Sequence, residues 1–159
     1  MARDRAIARV GVISDTHGLL RPEAIRALRG VDLIVHAGDV GRVEVLDGLR
    51  AIARVVAVRG NNDREAWASA LPERETIVVA GIRILVIHDV KELRAGPPTR
   101  GVRVVVAGHS HRPSIDEREG VLFLNPGSAG PRRFTLPVSL AMLTVQNEQP
   151  RARLVTLDV

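Results

Sequence analysis

The sequence predicts an α/β fold, a layered β-sandwich of two mixed sheets flanked by helices. Three observations predict it. Apolar runs of strand length recur along the chain, divided by Gly, Asn, Asp and Pro. In the first half these runs alternate with helical patterns, which implies parallel strands joined by crossover helices. In the second half short turns separate them, which implies antiparallel hairpins.

The elements follow in order. Ile7–Ile13 ("IARVGVI") reads as a strand. Pro22–Leu28 places proline at a helix start, with apolar residues at helical spacing behind it. Leu33–His36 reads as a strand, Val43–Ala51 as a helix and Val55–Val58 as a strand. "REAWASAL", Arg64–Leu71, is helix-like. Thr76–Val79 and Arg83–Ile87 flank "AGI", a hairpin signal. Val102–Ala107 is a strand. Ser114–Glu117 and Val121–Leu124 flank "REG", a second hairpin signal. Leu140–Val145 and Arg151–Leu157 close the chain as strands. "RAGPPTRG", Arg94–Gly101, is the most loop-like insert, yet it lies between two strands of one core.

Composition narrows the class. The 159 residues suit a single domain, 1–159, because domains run roughly 100–200 residues. Apolar residues are 45% of the chain, enough for a core. No internal repeat or low-complexity run interrupts it. No apolar run approaches the ~20 residues that span a bilayer. The charged start, Met1–Arg5, does not read as a signal peptide, so the expected location is cytoplasmic. Cysteine is absent, which excludes a disulfide scaffold, a thiolate metal site and a cysteine nucleophile. The net charge is +5, and Lys91 is the lone lysine among 23 basic residues. The arginines are scattered, and the aromatics are only Trp67, Phe123 and Phe134. Nucleic acid is therefore not an expected partner, since single-strand binders stack bases on aromatic platforms.

The chemistry sits at strand ends. Asp15 and His17 follow the first strand, His36 and Asp39 the second, Asn61 and Asp63 the third. His88 follows Ile84–Ile87, and His109 and His111 follow Val104–Ala107. Ligands bind beyond the carboxyl ends of strands in sheets of this kind, so the clusters are expected on one rim. Period-two alternation would put both side chains of Asp15-x-His17, and of His109-x-His111, on one side of an extended segment. Each cluster alone is ordinary turn chemistry. Their joint occurrence points to a dinuclear metal site. Imidazoles, carboxylates and one amide oxygen suit Mn, Fe, Zn, Ni or Co, with manganese favoured. Two ions about 3.5–4 Å apart clamp a phosphoryl group and activate water.

"DTH", "GD", "GNND", a lone His after a strand and "GHSH", in this order, resemble the calcineurin-like metallophosphoesterases. The length and the late "NPGS", Asn125–Ser128, resemble the small YfcE-type phosphodiesterase branch. The resemblance spans about Val10 to Val145 and implies a metallophosphoesterase-like sandwich. It further implies that Asp15, His17 and His111 hold one metal, that Asn61, His88 and His109 hold the other, and that Asp39 bridges them. A bridging hydroxide would then attack phosphorus in line, with Asp39 and Asn61 serving catalysis. The implied substrate is a small phosphorylated molecule, and a homo-oligomer is compatible with it. Two departures stand out. Asn62 occupies the position where the family often carries a proton-donating His. Asp89 follows His88 where Gly is common.

Other residues keep two readings. His36 is either a supporting partner behind the ligands or a satisfied core histidine. Asp63 either orients a ligand His or caps a turn. Arg64, Arg112, Arg132 and Arg133 either dock an anion or are solvated surface. Gly127 and Ser128 form a loop that supports the rim or a plain turn. Trp67 lines the pocket or packs in the core. Two other functions compete with the enzyme: an interaction scaffold, as the related vacuolar-sorting retromer subunit implies, and a nuclease.

Overall fold

In the computed structural model, which describes residues 7–93 and 100–159, twelve regular elements follow one another. They are β1 (Ala8–Ile13), α1 (Pro22–Ala27), β2 (Leu33–His36), α2 (Val43–Arg50), β3 (Arg54–Ala57), β4 (Arg74–Val79), β5 (Ile82–Ile87), β6 (Val102–Val106), β7 (Ser114–Arg118), β8 (Val121–Asn125), β9 (Ser139–Gln146) and β10 (Gln149–Thr156). One sheet has the order β10-β9-β1-β2-β3 and the other β4-β5-β6-β8-β7. β1 pairs in parallel with β2, and β2 with β3, as the alternation predicts. β9 and β10 add to β1 as an antiparallel hairpin. The second sheet is mixed: β5, β6 and β8 run parallel, while β4 and β7 are antiparallel edges.

Strand alternation sorts the core into layers. Val10 and Val12 of β1 face Ile84, Val86, Val104 and Val106 of the other sheet. Ile13 and Ile34 face the opposite way, onto Leu28, Leu46 and Leu49 of the helical layer. Gly11 also points that way, and its missing side chain leaves the space that Leu28 fills. Pro22 sits at the first helical position of α1, where its fixed φ suits the helix start.

Three two-residue turns close the hairpins: Ala80–Gly81, Glu119–Gly120 and Asn147–Glu148. All six residues have positive φ, the type I′ geometry that matches strand twist. The Arg64–Leu71 stretch is shorter than its helical pattern predicts and winds only a 3-10 turn at Ala66–Ala70. Its start has no side-chain cap, and Pro72 forces Leu71 to be extended. A second 3-10 turn, Val90–Leu93, was not expected. Of the Arg94–Gly101 insert, residues 94–99 lie outside the described residues.

The loops after β1 and β2 are joined backbone to backbone. Asp15 N–H donates to Gly38 O at 3.0 Å, His17 N–H to Asp39 O at 3.0 Å and Gly18 N–H to Val40 O at 2.8 Å. Gly41, at φ +92°, lets the loops meet, because a Cβ there would strike His17 and Gly18. His36 clamps the pair from inside. Gly38 N–H donates to its Nδ1 at 3.1 Å, so the ring proton resides on Nε2 and donates to Thr16 Oγ1 at 2.9 Å. Thr16 Oγ1 passes its own proton to Val40 O at 2.9 Å. Burial pushes the His36 imidazole down to about 4. A second proton, on Nδ1, would also face the Gly38 N–H. Asp63 ties in the loop after β3: its carboxylate accepts from Val40 N at 3.1 Å, Gly41 N at 3.0 Å and Gly60 N at 2.9 Å. It therefore caps loops and orients no histidine.

Two predictions follow from this packing. Gly11→Ala should destabilise the chain by about 1–3 kcal/mol through overpacking. Leu28→Ala should then cost less in the Gly11→Ala background than in the native chain, a coupling that a double-mutant cycle of urea midpoints reads directly. Additive costs would mean that the two sites do not share the space. His36 is neutral in the fold, whereas the unfolded chain protonates it as pH falls through 6.5. Its contribution is complete above pH 6.5 and declines from there to about 4, by about 3 kcal/mol at most. His36→Gln in chelator-treated protein should flatten the stability curve across that window, and an unchanged slope would exclude this role.

Candidate metal centre

The joined loops bring the predicted residues to one rim. Asp15 is fully buried and Asp39 is 2% exposed. Asp15 Oδ2 is occupied, accepting from Ser14 Oγ at 2.7 Å and from His109 N at 3.0 Å. Its Oδ1 is left for the centre. His111 Nε2 lies 3.4 Å from that oxygen and His17 Nε2 lies 3.8 Å from it. Asp15, His17 and His111 thus form one group whose donor atoms all lie within 4.8 Å of one another.

The second group forms around His88. Its Nδ1 donates to Ala37 O at 2.7 Å, a bond that spans the two sheets and turns Nε2 towards the rim. Nε2 lies 3.4 Å from Asp39 Oδ2 and 3.3 Å from His109 Nδ1. His109 Nδ1 lies 3.2 Å from Asn61 Oδ1. Asp39 Oδ2 is also 3.7 Å from His17 Nε2, so this oxygen stands between the two groups. Asp15 Oδ1 reaches towards both as well, 4.0 Å from His88 Nε2. The rings pair in the same way, with centroids 5.4 Å apart for His17 and His111 and 5.1 Å for His88 and His109.

The backbone that presents these groups is not extended. Asp15, His17, Asp39, His109 and His111 all have left-handed φ, between 47° and 72°. Strand alternation therefore does not explain how Asp15-x-His17 or His109-x-His111 converge. Each residue makes its own left-handed step in the loop beyond a strand end. Such φ values cost L-residues energy and cluster at functional sites.

The electrostatics are those of a cation site. Burial works to raise the Asp15 carboxyl, but contacts with His111 and Ser14 outweigh it and hold the group below its usual range. The same opposition, with His88 and the Asn62 N–H prevailing over burial, holds Asp39 well below its usual range. Burial disfavours the His88 cation, yet Asp39 and Ala37 O raise it to about 9. A cation bound at Nε2 would displace that proton. Asp15 Oδ1, His17 Nε2 and His111 Nδ1 are buried with no hydrogen-bond partner. Buried polar atoms are rarely left so. Of these, Asp15 Oδ1 and His17 Nε2 face the centre, whereas His111 faces it through Nε2; imidazole and carboxylate donors of this kind suit borderline divalent ions, so the donor set fits a metal.

Several supporting residues carry no clear sequence signal. Ser14 and Thr16 hold the first loop. Asn62, which in the sequence signals only a missing acid, grips Asp39 twice: N–H to Oδ1 at 2.9 Å and Nδ2 to Oδ2 at 3.0 Å. The "NPGS" loop supports the rim, as Ser128 Oγ donates to Asp15 O at 2.9 Å and Asn125 Nδ2 to Gly108 O at 3.0 Å. His36 touches Thr16 and Gly38. Trp67 packs against the helical core. Beside the second group lies a cavity of about 130 Å³, lined by Arg59, Asn61, His88, Asp89, Glu92 and His109. Arg59 is neutralised there by Glu73 at 2.9 Å.

Comparison with known proteins bears on the fold and the family. A probable metallophosphoesterase of Methanocaldococcus jannaschii is 39% identical over 94% of this chain and 81% of its own. An archaeal phosphodiesterase of known structure superposes with a TM-score of 0.78 at 23% identity, over 94% of this chain and 99% of its own. Vacuolar protein sorting 29 from Cryptosporidium parvum superposes with a TM-score of 0.75 at 19% identity, over 96% and 99% of the two chains. Both solved structures share the fold. Residues 9–148 match the model of the calcineurin-like phosphoesterase superfamily domain, and the chain belongs to that superfamily.

Proposed function

We propose that the protein is a metal-dependent phosphodiesterase with a dinuclear centre. Asp15, His17 and His111 would hold the first ion, Asn61, His88 and His109 would hold the second, and Asp39 would serve both. One observation carries this reading: Asp39 Oδ2 lies 3.7 Å from His17 Nε2 and 3.4 Å from His88 Nε2, between two donor groups. Kinship with named metallophosphoesterases supports it.

Bound there, two divalent ions would supply Lewis acidity towards phosphoryl oxygens and lower the pKa of water. The chain does the rest. Asp15 and Asp39 provide the negative charge that retains the cations. The Ala37 carbonyl fixes His88 with Nε2 inward. Asn61 is partly free for substrate, because its amide nitrogen can donate to a phosphate oxygen while its carbonyl faces the centre. Asn62 has no acidic proton and spends its N–H groups on Asp39. The leaving group therefore departs without a protein acid at that position.

A second reading, an interaction scaffold, draws on the outer face of the second sheet. Leu85, Ile87, Val105 and Ala107 are themselves buried there, so a partner would meet the groove above them, lined by the exposed Val90 and Ile115 with Phe123. Both α-helices pack on the other sheet. Partner binding through that face would be indifferent to Asp39→Ala.

The enzyme reading predicts hydrolysis of an aryl phosphodiester that is lost on chelation and restored by Mn, Ni, Co or Zn. Asp39→Ala should reduce it by at least about 100-fold, as loss of one strong electrostatic contributor does. His111→Ala should empty the first site and His109→Ala the second, read by metal stoichiometry. Emptying of the same site by both variants would overturn the assignment. The Asn62 geometry predicts a steep dependence on leaving-group pKa, with aryl esters far ahead of alkyl esters. Asn62→His should flatten that dependence. An equally steep plot for the variant would remove Asn62 from the explanation.

A further inference from the structure

Asp89 is held by a contact that leaves half of its carboxylate free. Its Oδ1 accepts from Lys91 N at 3.0 Å, and its backbone carbonyl accepts from Glu92 N at 3.0 Å, so it starts the 3-10 turn Val90–Leu93. This anchors the side chain and aims the other oxygen. Oδ2 lies 3.7 Å from His109 Nε2. The opposite edge of the same ring faces the second donor group, with His109 Nδ1 3.2 Å from Asn61 Oδ1 and 3.3 Å from His88 Nε2. The imidazole thus stands between a carboxylate and the place where a cation would sit.

A neutral imidazole carries one N–H and one lone pair, and a hydrogen bond at one nitrogen decides which is which. At 3.7 Å the Asp89 carboxylate is an ion-pair neighbour of Nε2 rather than a direct hydrogen-bond partner, and its negative charge favours the N–H on that edge and leaves the Nδ1 lone pair for the ion. It also makes that nitrogen a stronger donor. The need is greater for His109 than for its neighbours. His88 has its tautomer fixed by Ala37 O. The His109 side chain is 44% exposed, so water and rotation compete for its orientation. Asp89 is itself only 26% exposed and pinned at Oδ1.

We propose that Asp89 is a positioning residue for the second metal, fixing His109 through its Nε2 edge so that Nδ1 faces the ion. The proposal rests on the metal-centre reading above. It gives a use to the carboxylate that stands where glycine is common.

Asp89→Ser and Asp89→Asn in the full chain test it, because each keeps an oxygen for Lys91 N–H while removing the second carboxylate oxygen. In a stepwise Mn titration followed by electron paramagnetic resonance, both variants should weaken the second binding step by about 10–100-fold and leave the first unchanged. Long-range nitrogen spectra of the zinc-loaded native chain should show His109 protonated at Nε2 alone, and the variants a mixture of tautomers. Native-like second-step affinity in both variants overturns the proposal. So does equal weakening of both steps, which would mean a general loss of structure. A native chain that takes up no metal overturns the metal-centre reading itself, and the role of Asp89 with it.

Discussion

Two carboxylates, Asp15 and Asp39, are buried at one rim with no arginine or lysine among the described residues to balance them. Among the described residues their ion-pair neighbours are all histidines. An ionised carboxylate out of water is costly unless it is paired and hydrogen-bonded. The chain meets part of that cost with N–H and O–H donors: Ser14 and His109 N for Asp15, and Asn62 for Asp39. It leaves Asp15 Oδ1 without a hydrogen bond. A cation at the rim would satisfy that atom and neutralise the pair together.

The backbone is organised around the same constraint. Five left-handed residues present site side chains, a backbone conformation that costs on the order of 1–3 kcal/mol each. The surrounding bonds over-determine them. Backbone hydrogen bonds join the loops after β1 and β2. His36 and Thr16 lock that junction from below, Asp63 extends it to the loop after β3, and Ser128 holds it from the "NPGS" side. His88 then ties the second sheet to the first through Ala37 O. The sandwich brings the carboxyl ends of two sheets to one edge, and these bonds keep them in register.

Much of this was legible in the sequence. Strands such as β1 and β5 are buried along most of their length, so their apolar runs announce them. Gly81 and Gly120 mark two hairpins because type I′ turns favour glycine, whereas the turn at Asn147–Glu148 has none and gives a weaker signal. The candidate site residues stood out in the sequence because metal chemistry restricts side-chain types. Their presentation was not: left-handed φ at Asp15 or His111 depends on contacts with distant loops, which no local pattern encodes. Asn62 and Asp89 show the same limit. Each is visible as a departure from a motif, but what each touches depends on the fold, Asp39 in one case and His109 in the other. The order of the second sheet, with β8 between β6 and β7, is likewise set by tertiary packing.

The central claim is a shared carboxylate between two ions. Anomalous diffraction from crystals of the manganese-loaded chain tests it most directly. Two peaks about 3.5–4 Å apart, with the Asp39 carboxylate between them, Asp15, His17 and His111 around one and Asn61, His88 and His109 around the other, are the predicted result. A single peak, or two peaks that Asp39 does not join, would contradict it.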